Sequence, residues 1–321
     1  MRFDIGNIKF WISPVSIMKC FIGIGWVVRG SEEELEEYRM FSDIFFPFLL
    51  KQDDEMKVEE FCKKAISQIE KVIKEHNLTS DLITRFCERL KNTLADDRNQ
   101  SNACQYAEEY SQWLNSWSNT LLGEVSKRAV GKFNEWGVKP LRHALGAVAS
   151  FGSAIYGKYV PSLQAVCVQM DTILKSECPE IQFIETLLHE EVHFVIYHNM
   201  GEDDERPELT WLNELAAVLT SQYAIENAAI ELLNERESKR VKECLRKIRD
   251  KQKYGELANA VLRDARDSLL PWKAWIRIFR LPEDQKRNYA RERIIKPILH
   301  NLGWKVEFPY EYGNKYVTVF I

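Results

Sequence analysis

The feature that most constrains the fold is a long stretch of helical periodicity between residues 31 and 137. It begins with "SEEELEEYRMF", where a serine precedes a run of acidic residues, as at the N-terminus of a helix. Further on, apolar residues recur at spacings of three and four, which places them on one face of a helix. These residues are Val58, Phe61, Ala65, Ile69 and Val72. We therefore expect the stretch 31–137 to be predominantly helical.

The rest of the chain combines strands with helices. Residues 1–30 are rich in Ile, Val, Phe and Trp with interspersed glycines, which predicts strands and turns. Glycines and prolines return between 138 and 161 and indicate a boundary or an irregular connection. "SLQAVCVQM" (162–170) predicts a strand, and the C-terminal "WKVEFPYEYGNKYVTVFI" predicts a hairpin around Gly313-Asn314. The expected fold class is α+β and mainly helical.

Composition limits the class of protein. A chain of 321 residues with 45% hydrophobic content can form a globular protein with a sizeable core. With 29% charged residues and a net charge of -4, no global field favours nucleic acid or an acidic membrane surface. The apolar run "CFIGIGWVV" (20–28) is shorter than the roughly twenty residues of a spanning helix, and the N-terminus lacks the shape of a signal peptide. We expect a soluble, cytoplasmic protein with no nucleic-acid or membrane partner.

The cysteine content also indicates a cytoplasmic protein. The chain has seven of them, scattered singly and without a Cys-x-x-Cys pair. This odd, dispersed set argues against a disulfide framework and against a zinc ribbon. We therefore expect reduced thiols, many of them buried.

One short motif carries chemistry. The segment "CPEIQFIETLLHEEVHFVIYHN" predicts a long helix with Pro179 near its first turn, and it contains His189, Glu190 and His193. Residues four apart on a helix project from one face, so the two imidazoles can bind one Zn²⁺. Glu190 lies on the flank of that face, from which a carboxylate can act on a metal-bound water as a general base. The five-residue pattern also arises by chance, but two buried imidazoles without partners would be costly.

A catalytic zinc usually has three protein ligands, and the next helix offers the third. Pro207 begins "PELTWLNELAAVLTSQYAIENAAIELLNE", in which Glu214 lies at helical spacing from Trp211, Leu215 and Val218. A carboxylate on such an apolar stripe is expensive to ionise unless a cation or hydrogen-bond donors lie beside it. Metal coordination would remove that cost. The cost would also be removed if the Glu214 carboxylate reached solvent or paired with an arginine.

These residues resemble the gluzincin branch of the zincin metallopeptidases, the thermolysin-like proteases and zinc aminopeptidases. In that family one helix carries His-Glu-x-x-His and a second, antiparallel helix carries a glutamate ligand, often after asparagine. The matching positions are His189, Glu190, His193 and Asn213-Glu214, with twenty residues between His193 and Glu214. Compact intracellular metallopeptidases with a following Glu-x-x-Ala helix are also similar, through "ELAA" at 214–217.

The resemblance covers about 162–225 and implies a domain plan. It implies a zincin-like core, with a small sheet and two antiparallel active-site helices, flanked by helical regions. By family analogy the strand at 162–170 would be the edge strand along which a peptide substrate lies. The expected segments are a strand-rich N-terminus (1–30), a helical region (31–137), the zincin-like catalytic core (138–235) and a C-terminal helical region ending in a hairpin (236–321).

The chain also departs from the family's pattern. The first residue inside the motif is usually uncharged, whereas here it is Glu191, which must turn outward or make its own interaction. The acid that sometimes follows the glutamate ligand by one turn is Val218 here, so the partner that orients a ligating histidine is not identified from the sequence. The family also uses a tyrosine or histidine to stabilise the oxyanion. The candidates are Tyr197, Tyr223, Tyr254, Tyr289 and His300, with Tyr289 and His300 at a plausible distance beyond Glu214.

Other functions can be compared on the same residues. A di-iron carboxylate site needs two Glu-x-x-His motifs. Glu190 and His193 supply one, but no histidine other than His193 has a glutamate three residues before it. A non-catalytic zincin-like scaffold or partner-binding module would have no need of the base Glu190. The helical region 31–137 could select a protein substrate or partner, or simply support the core.

The expected function is therefore zinc-dependent hydrolysis of a peptide bond in a peptide or protein substrate. The resemblance implies that His189, His193 and Glu214 bind Zn²⁺ and lower the pKa of its water towards about 7. It also implies that Glu190 takes the proton of that water and delivers it to the leaving amine. Were Glu214 not the third ligand, the acidic loop residues Asp203, Asp204 and Glu205 would be the alternatives.

Overall fold

The structure is a computed structural model, and it describes residues 1–23, 30–135, 143–147, 156–160, 165–200, 207–252, 258, 285, 305–307 and 318–320. The chain divides into two compact units. The first unit comprises Met1–Gly123 and Leu141–Pro179, and the second comprises Glu124–Pro140 and Glu180–Ile321. The described residues are mainly helical with small sheets, which confirms the coarse fold class.

The first unit contains a mixed five-stranded sheet. Its strands are β1 (Arg2–Ile5), β2 (Ile8–Trp11), β3 (His143–Ala147), β4 (Gly157–Val160) and β5 (Ala165–Gln169), in the order β1-β2-β3-β5-β4. Strands β1 and β2 form a two-residue hairpin in which Gly6 has a φ of 62°, a left-handed conformation that glycine adopts without steric cost. The contacts of β3 with β2 and β5 are parallel, and β4 pairs with β5 antiparallel.

The prediction that the strand at 162–170 is an edge strand is wrong. Strand β5 spans Ala165–Gln169 and lies between β3 and β4, and all its residues are buried. Its continuous apolar run "AVCV" (165–168) has the pattern of a strand covered on both faces, which is typical of the interior of a sheet. Among the described strands of this five-stranded sheet, β1 and β4 are at the edges.

The prediction of strands and turns over 1–30 holds only for the first part of that segment. Residues Pro14–Gly23 form a helix, α1, rather than a strand. Ser13 and Ser16 cap its first turn reciprocally, since each backbone N–H donates to the other's hydroxyl at 2.8 and 3.0 Å. Pro14 occupies the first helical position, where its missing N–H has no cost. These local signals override the β-branched composition.

The predicted helical stretch is confirmed in the described residues. It forms α2 (Glu32–Leu50), α3 (Val58–His76), α4 (Asp81–Ala95), α5 (Asp97–Ser118) and α6 (Leu121–Glu135). Ser31 and Glu34 form a capping box at the start of α2. The predicted apolar face of α3 is buried: Val58, Phe61, Ala65, Ile69 and Val72.

The second unit contains most of three further helices. After the short helix α7 (Met170–Leu174) come α8 (Pro179–Met200), α9 (Pro207–Leu232) and α10 (Glu235–Asp250), so α8 and α9 begin at the prolines that predict their starts. Helix α10 packs against α9. Near the end of the chain, β6 (Lys305–Glu307) and β7 (Thr318–Phe320) pair antiparallel, as the predicted hairpin requires, although Gly313-Asn314 lie outside the described residues.

The cysteines agree only partly with the expectation of reduced thiols. Five are free, and of these only Cys104 is exposed. Cys178 and Cys244 are disulfide-bonded, which contradicts the prediction. Spacing along the chain does not reveal such bonds, because a disulfide depends on which Cα atoms the fold brings within about 4.4 to 6.8 Å. Within the described residues, no helix has the length and apolarity needed to cross a bilayer.

A buried ion pair fixes α1 in the first unit. The Lys19 ammonium group donates to the Asp54 carboxylate and to the Gln52 carbonyl oxygen, both at 2.8 Å. Both charged side chains are almost inaccessible to solvent, with exposed fractions of 1% and 7%. A buried charge is tolerated only while its partners offset the lost hydration.

Lys19→Met should therefore lower the free energy of unfolding by about 3 to 5 kcal/mol, because it leaves the Asp54 carboxylate buried without this cation. Urea unfolding monitored by circular dichroism measures the change. Lys64→Met is the matched control, since Lys64 pairs with Glu60 at 2.8 Å on an exposed helix surface, and should leave stability nearly unchanged. Equal losses in the two variants would contradict a special role for the buried pair.

Candidate metal centre

Helix α8 is buried on all sides along much of its length. Every residue from 181 to 192 is buried, so this part of the helix has no solvent-facing side. Six of these buried side chains are polar or charged: Gln182, Glu185, Thr186, His189, Glu190 and Glu191. Buried polar groups are stable only when paired, so the arrangement of their partners determines what α8 can do.

The two histidines of the motif face one another on α8. Their Nε2 atoms are 3.1 Å apart, and their rings meet edge to face with centroids 4.8 Å apart. The exposed fractions of the His189 and His193 side chains are 11% and 19%. Two ring nitrogens at this distance either share one proton or direct two lone pairs at a common cation.

Glu214 of α9 completes a three-residue group. Its Oε2 atom lies 3.4 Å from His189 Nε2, and its Oε1 atom lies 3.6 Å from His193 Nε2. The side chain is 37% exposed, so this side of the group is open to solvent. Within the described residues, His189, His193 and Glu214 form the one group of histidine, cysteine or acidic side chains that could hold a metal ion.

The contacts between α8 and α9 show how the helices pack. Ser221 of α9 contacts Glu185, early in α8, whereas Glu214 contacts His189 and His193 further along. Residues later in α8 therefore contact residues earlier in α9, so the two helices run antiparallel. This is the relative direction expected for the two ligand-bearing helices.

The donor atoms fit a tetrahedral zinc ion. Around zinc with bonds of about 2.0 to 2.1 Å, two ligand atoms of a tetrahedron lie roughly 3.3 Å apart. The two Nε2 atoms are 3.1 Å apart, and the Glu214 oxygens lie 3.4 Å (Oε2) from His189 Nε2 and 3.6 Å (Oε1) from His193 Nε2. Two imidazole nitrogens and one carboxylate oxygen are also a common donor set of catalytic zinc sites. The donor types therefore suit zinc, and one ligand atom from each residue lies within 4.8 Å of the others.

The electrostatics of the group favour one positive charge. Burial lowers the pKa of an imidazole, but three nearby carboxylates outweigh it and raise the pKa of His189 to about 9. These carboxylates belong to Glu214, Glu185 and Glu190. Burial, together with repulsion from His189, lowers the pKa of His193 to about 4. A single cation is therefore stabilised here, and protonation of both imidazoles is opposed.

The other two residues of the motif are both buried. Glu190 follows His189 directly on α8, and its negative charge stabilises a positive charge on that imidazole. Glu191 does not turn outward, since its exposed fraction is 0%, and it makes its own interactions within the chain. The second of the two expected alternatives for Glu191 is thus the observed one.

Several residues predicted to act near the site fall outside the description. Tyr289, His300 and Tyr254 lie outside the described residues, as do the loop residues Asp203, Asp204 and Glu205. Tyr197 lies in α8, in a part whose side chains are not described, and Tyr223 lies in α9, half-buried. The identity of an oxyanion-stabilising residue stays a prediction.

One residue beside the group, Glu185, was not predicted from the sequence. Glu185 lies one turn before His189 on α8, and its Oε1 atom is 3.8 Å from His189 Nδ1. The available signal is a carboxylate four residues before the first histidine, because residues at this spacing are neighbours on a helix surface. Helical periodicity alone does not separate this carboxylate from the other buried acids of α8.

Comparison with known proteins adds no relative. No protein-family model, no curated protein and no solved structure matches the chain. The interpretation of the site therefore depends on the geometry of His189, His193 and Glu214 and on the resemblance of their motif.

Glu214→Ala should lower zinc affinity by more than about 100-fold, because it would remove one of the three candidate donor groups and not merely a supporting contact. Chelator competition against a zinc-sensitive dye measures the affinity, and elemental analysis measures the bound metal. Glu231→Gln is the control, since Glu231 lies on the same helix but pairs with Arg128 and Lys132. Full zinc occupancy in Glu214→Ala would move the third ligand elsewhere, with 203–205 as the first place to look.

Proposed function

We propose that the protein is a zinc-dependent metallopeptidase with a zincin-like core, hydrolysing peptide bonds of a peptide or protein substrate. The observation that carries the proposal is the convergence of three side chains, two from α8 and one from α9, whose ligand atoms lie within 4.8 Å of one another. The His-Glu-x-x-His motif also places the carboxylate of Glu190 on α8, and Glu190 is not one of the three donor residues.

Each residue has a distinct task in this proposal. His189, His193 and Glu214 hold the metal. A bound zinc ion supplies a water of lowered pKa and polarises the carbonyl group of the substrate. Glu190 accepts a proton from the attacking water and returns it to the nitrogen of the leaving amine. Water adds to the carbonyl carbon, the C–N bond breaks, and the products are a carboxylate and an amine.

The exposure of the ligands supports a catalytic role over a purely structural one. Structural zinc sites are closed by four protein ligands, whereas catalytic sites keep a position for water or substrate. Among the described residues three protein donors come together, and the Glu214 side chain is 37% exposed. The competing proposal is a non-catalytic, metal-stabilised module that binds a partner, and Glu190 distinguishes the two because a binding module needs no base.

Glu190→Gln should retain zinc within about twofold and lose hydrolysis by about 10²- to 10⁴-fold, because the amide keeps the shape of the side chain but cannot accept the proton. Turnover is measured on a proteome-derived peptide library by mass spectrometry, and zinc by elemental analysis.

Glu180→Gln is the matched control for this variant. Glu180 lies in the first turn of the same helix and is exposed, so the same chemical change should alter neither zinc content nor turnover. Wild-type turnover in Glu190→Gln would reject Glu190 as the base. A wild-type protein that binds zinc but cleaves nothing in the library would favour the binding module.

A further inference from the structure

We infer that Glu185 is the positioning residue for His189, accepting a hydrogen bond from Nδ1 so that Nε2 presents its lone pair to the metal. The inference rests on the proposed metal site and adds to it a residue that the motif does not contain. Metal-bound histidines commonly donate their second ring N–H to a carboxylate, which fixes the tautomer and the orientation of the ring.

The placement of Glu185 is suited to this role. It precedes His189 by four residues, so the two side chains are neighbours on one face of α8. The distance from Glu185 Oε1 to His189 Nδ1 is 3.8 Å. Nδ1 is buried and has no other hydrogen-bond partner within the described residues. A relative shift of about 0.8 Å brings the two atoms to hydrogen-bond distance.

The carboxylate of Glu185 is itself held by α9 and by the turn that follows α10. Its Oε1 atom accepts from Ser221 Oγ of α9 at 3.4 Å and from Gln252 Nε2, just beyond the end of α10, at 3.0 Å. Its exposed fraction is 1%, so these donors replace the water that the carboxylate has lost. The charge of Glu185 also stabilises the positive charge of Arg249 on α10, a side chain that is itself buried.

This arrangement determines which ring nitrogen of His189 is available. In the neutral imidazole that metal binding requires, a proton on Nδ1 directed at Glu185 leaves Nε2 without one, and Nε2 is the atom that faces His193 and Glu214. The negative charge of Glu185 also makes Nε2 more basic, and therefore a stronger electron-pair donor to a metal ion. A merely structural role, in which Glu185 only joins the three helices, would affect stability but would leave the metal unaffected.

The test uses full-length Glu185→Gln and Ser221→Ala. Zinc affinity is measured by chelator competition, and the visible absorption of the cobalt-substituted protein reports the coordination geometry. We expect Glu185→Gln to lower zinc affinity about 10- to 100-fold and to change the cobalt spectrum. Ser221→Ala, which removes one donor to the carboxylate, should change both quantities in the same direction by a smaller factor.

Thr186→Val is the matched control for both variants. Thr186 is buried on the same helix and accepts a hydrogen bond from Gln182 at 3.2 Å, so its loss removes a buried polar contact that involves no metal ligand. It should lower thermal stability while leaving zinc affinity within about twofold and the cobalt spectrum unchanged.

The outcomes separate this inference from the proposed function. Glu185→Gln and Ser221→Ala are compared if both variants fold; if only one folds, that one decides. Unchanged zinc affinity and an unchanged cobalt spectrum would overturn the role of Glu185 while leaving the metal site intact. An equal loss of affinity in Thr186→Val would also overturn it, because any buried polar change would then have the same effect. Wild-type protein that binds neither zinc nor cobalt would reject the metal site itself.

Discussion

The constraint on which the rest of the second unit depends is the complete burial of α8 between 181 and 192. This segment carries three carboxylates and a histidine among its apolar residues, and each loses its hydration on folding. A helix of this kind is stable only if neighbouring elements place hydrogen-bond donors and opposite charges beside its buried polar side chains. The purely apolar positions of α8 explain why it is buried, whereas its polar positions explain which partners surround it.

The neighbouring helices meet this requirement at defined points. Helix α9 supplies Ser221 to Glu185 and Glu214 to the two histidines, and Gln252 reaches the same Glu185 oxygen from the end of α10. Because the contacts of α8 and α9 run in opposite directions, a shift of either helix by one turn would break all of them at once. Buried polar networks in which the members are satisfied together rigidify a core and specify one arrangement. The arrangement of His189, His193 and Glu214 therefore follows from the packing of α8 against α9.

The sequence predicts those features whose signals are local. The buried face of α3 and the starts of α8 and α9 at Pro179 and Pro207 follow from spacing and from the chemistry of proline. The place of β5 inside the sheet and the disulfide state of Cys178 depend on which distant segments meet, and spacing carries no such information. Glu185 is intermediate. Its nearness to His189 is local, but the donors that hold its carboxylate come from other helices.

The charges around the histidines explain why a divalent cation suits this place better than protons do. Three carboxylates act on His189, and a single proton offsets only one of their negative charges. A second proton on His193 is opposed by burial and by the first, which is why the pKa of His193 is lowered to about 4. A metal ion delivers two positive charges at one point and needs the imidazoles neutral, with lone pairs converging as the two Nε2 atoms do. Burial and repulsion between the two rings thus oppose protonation of both, whereas the surrounding carboxylates favour positive charge at this place.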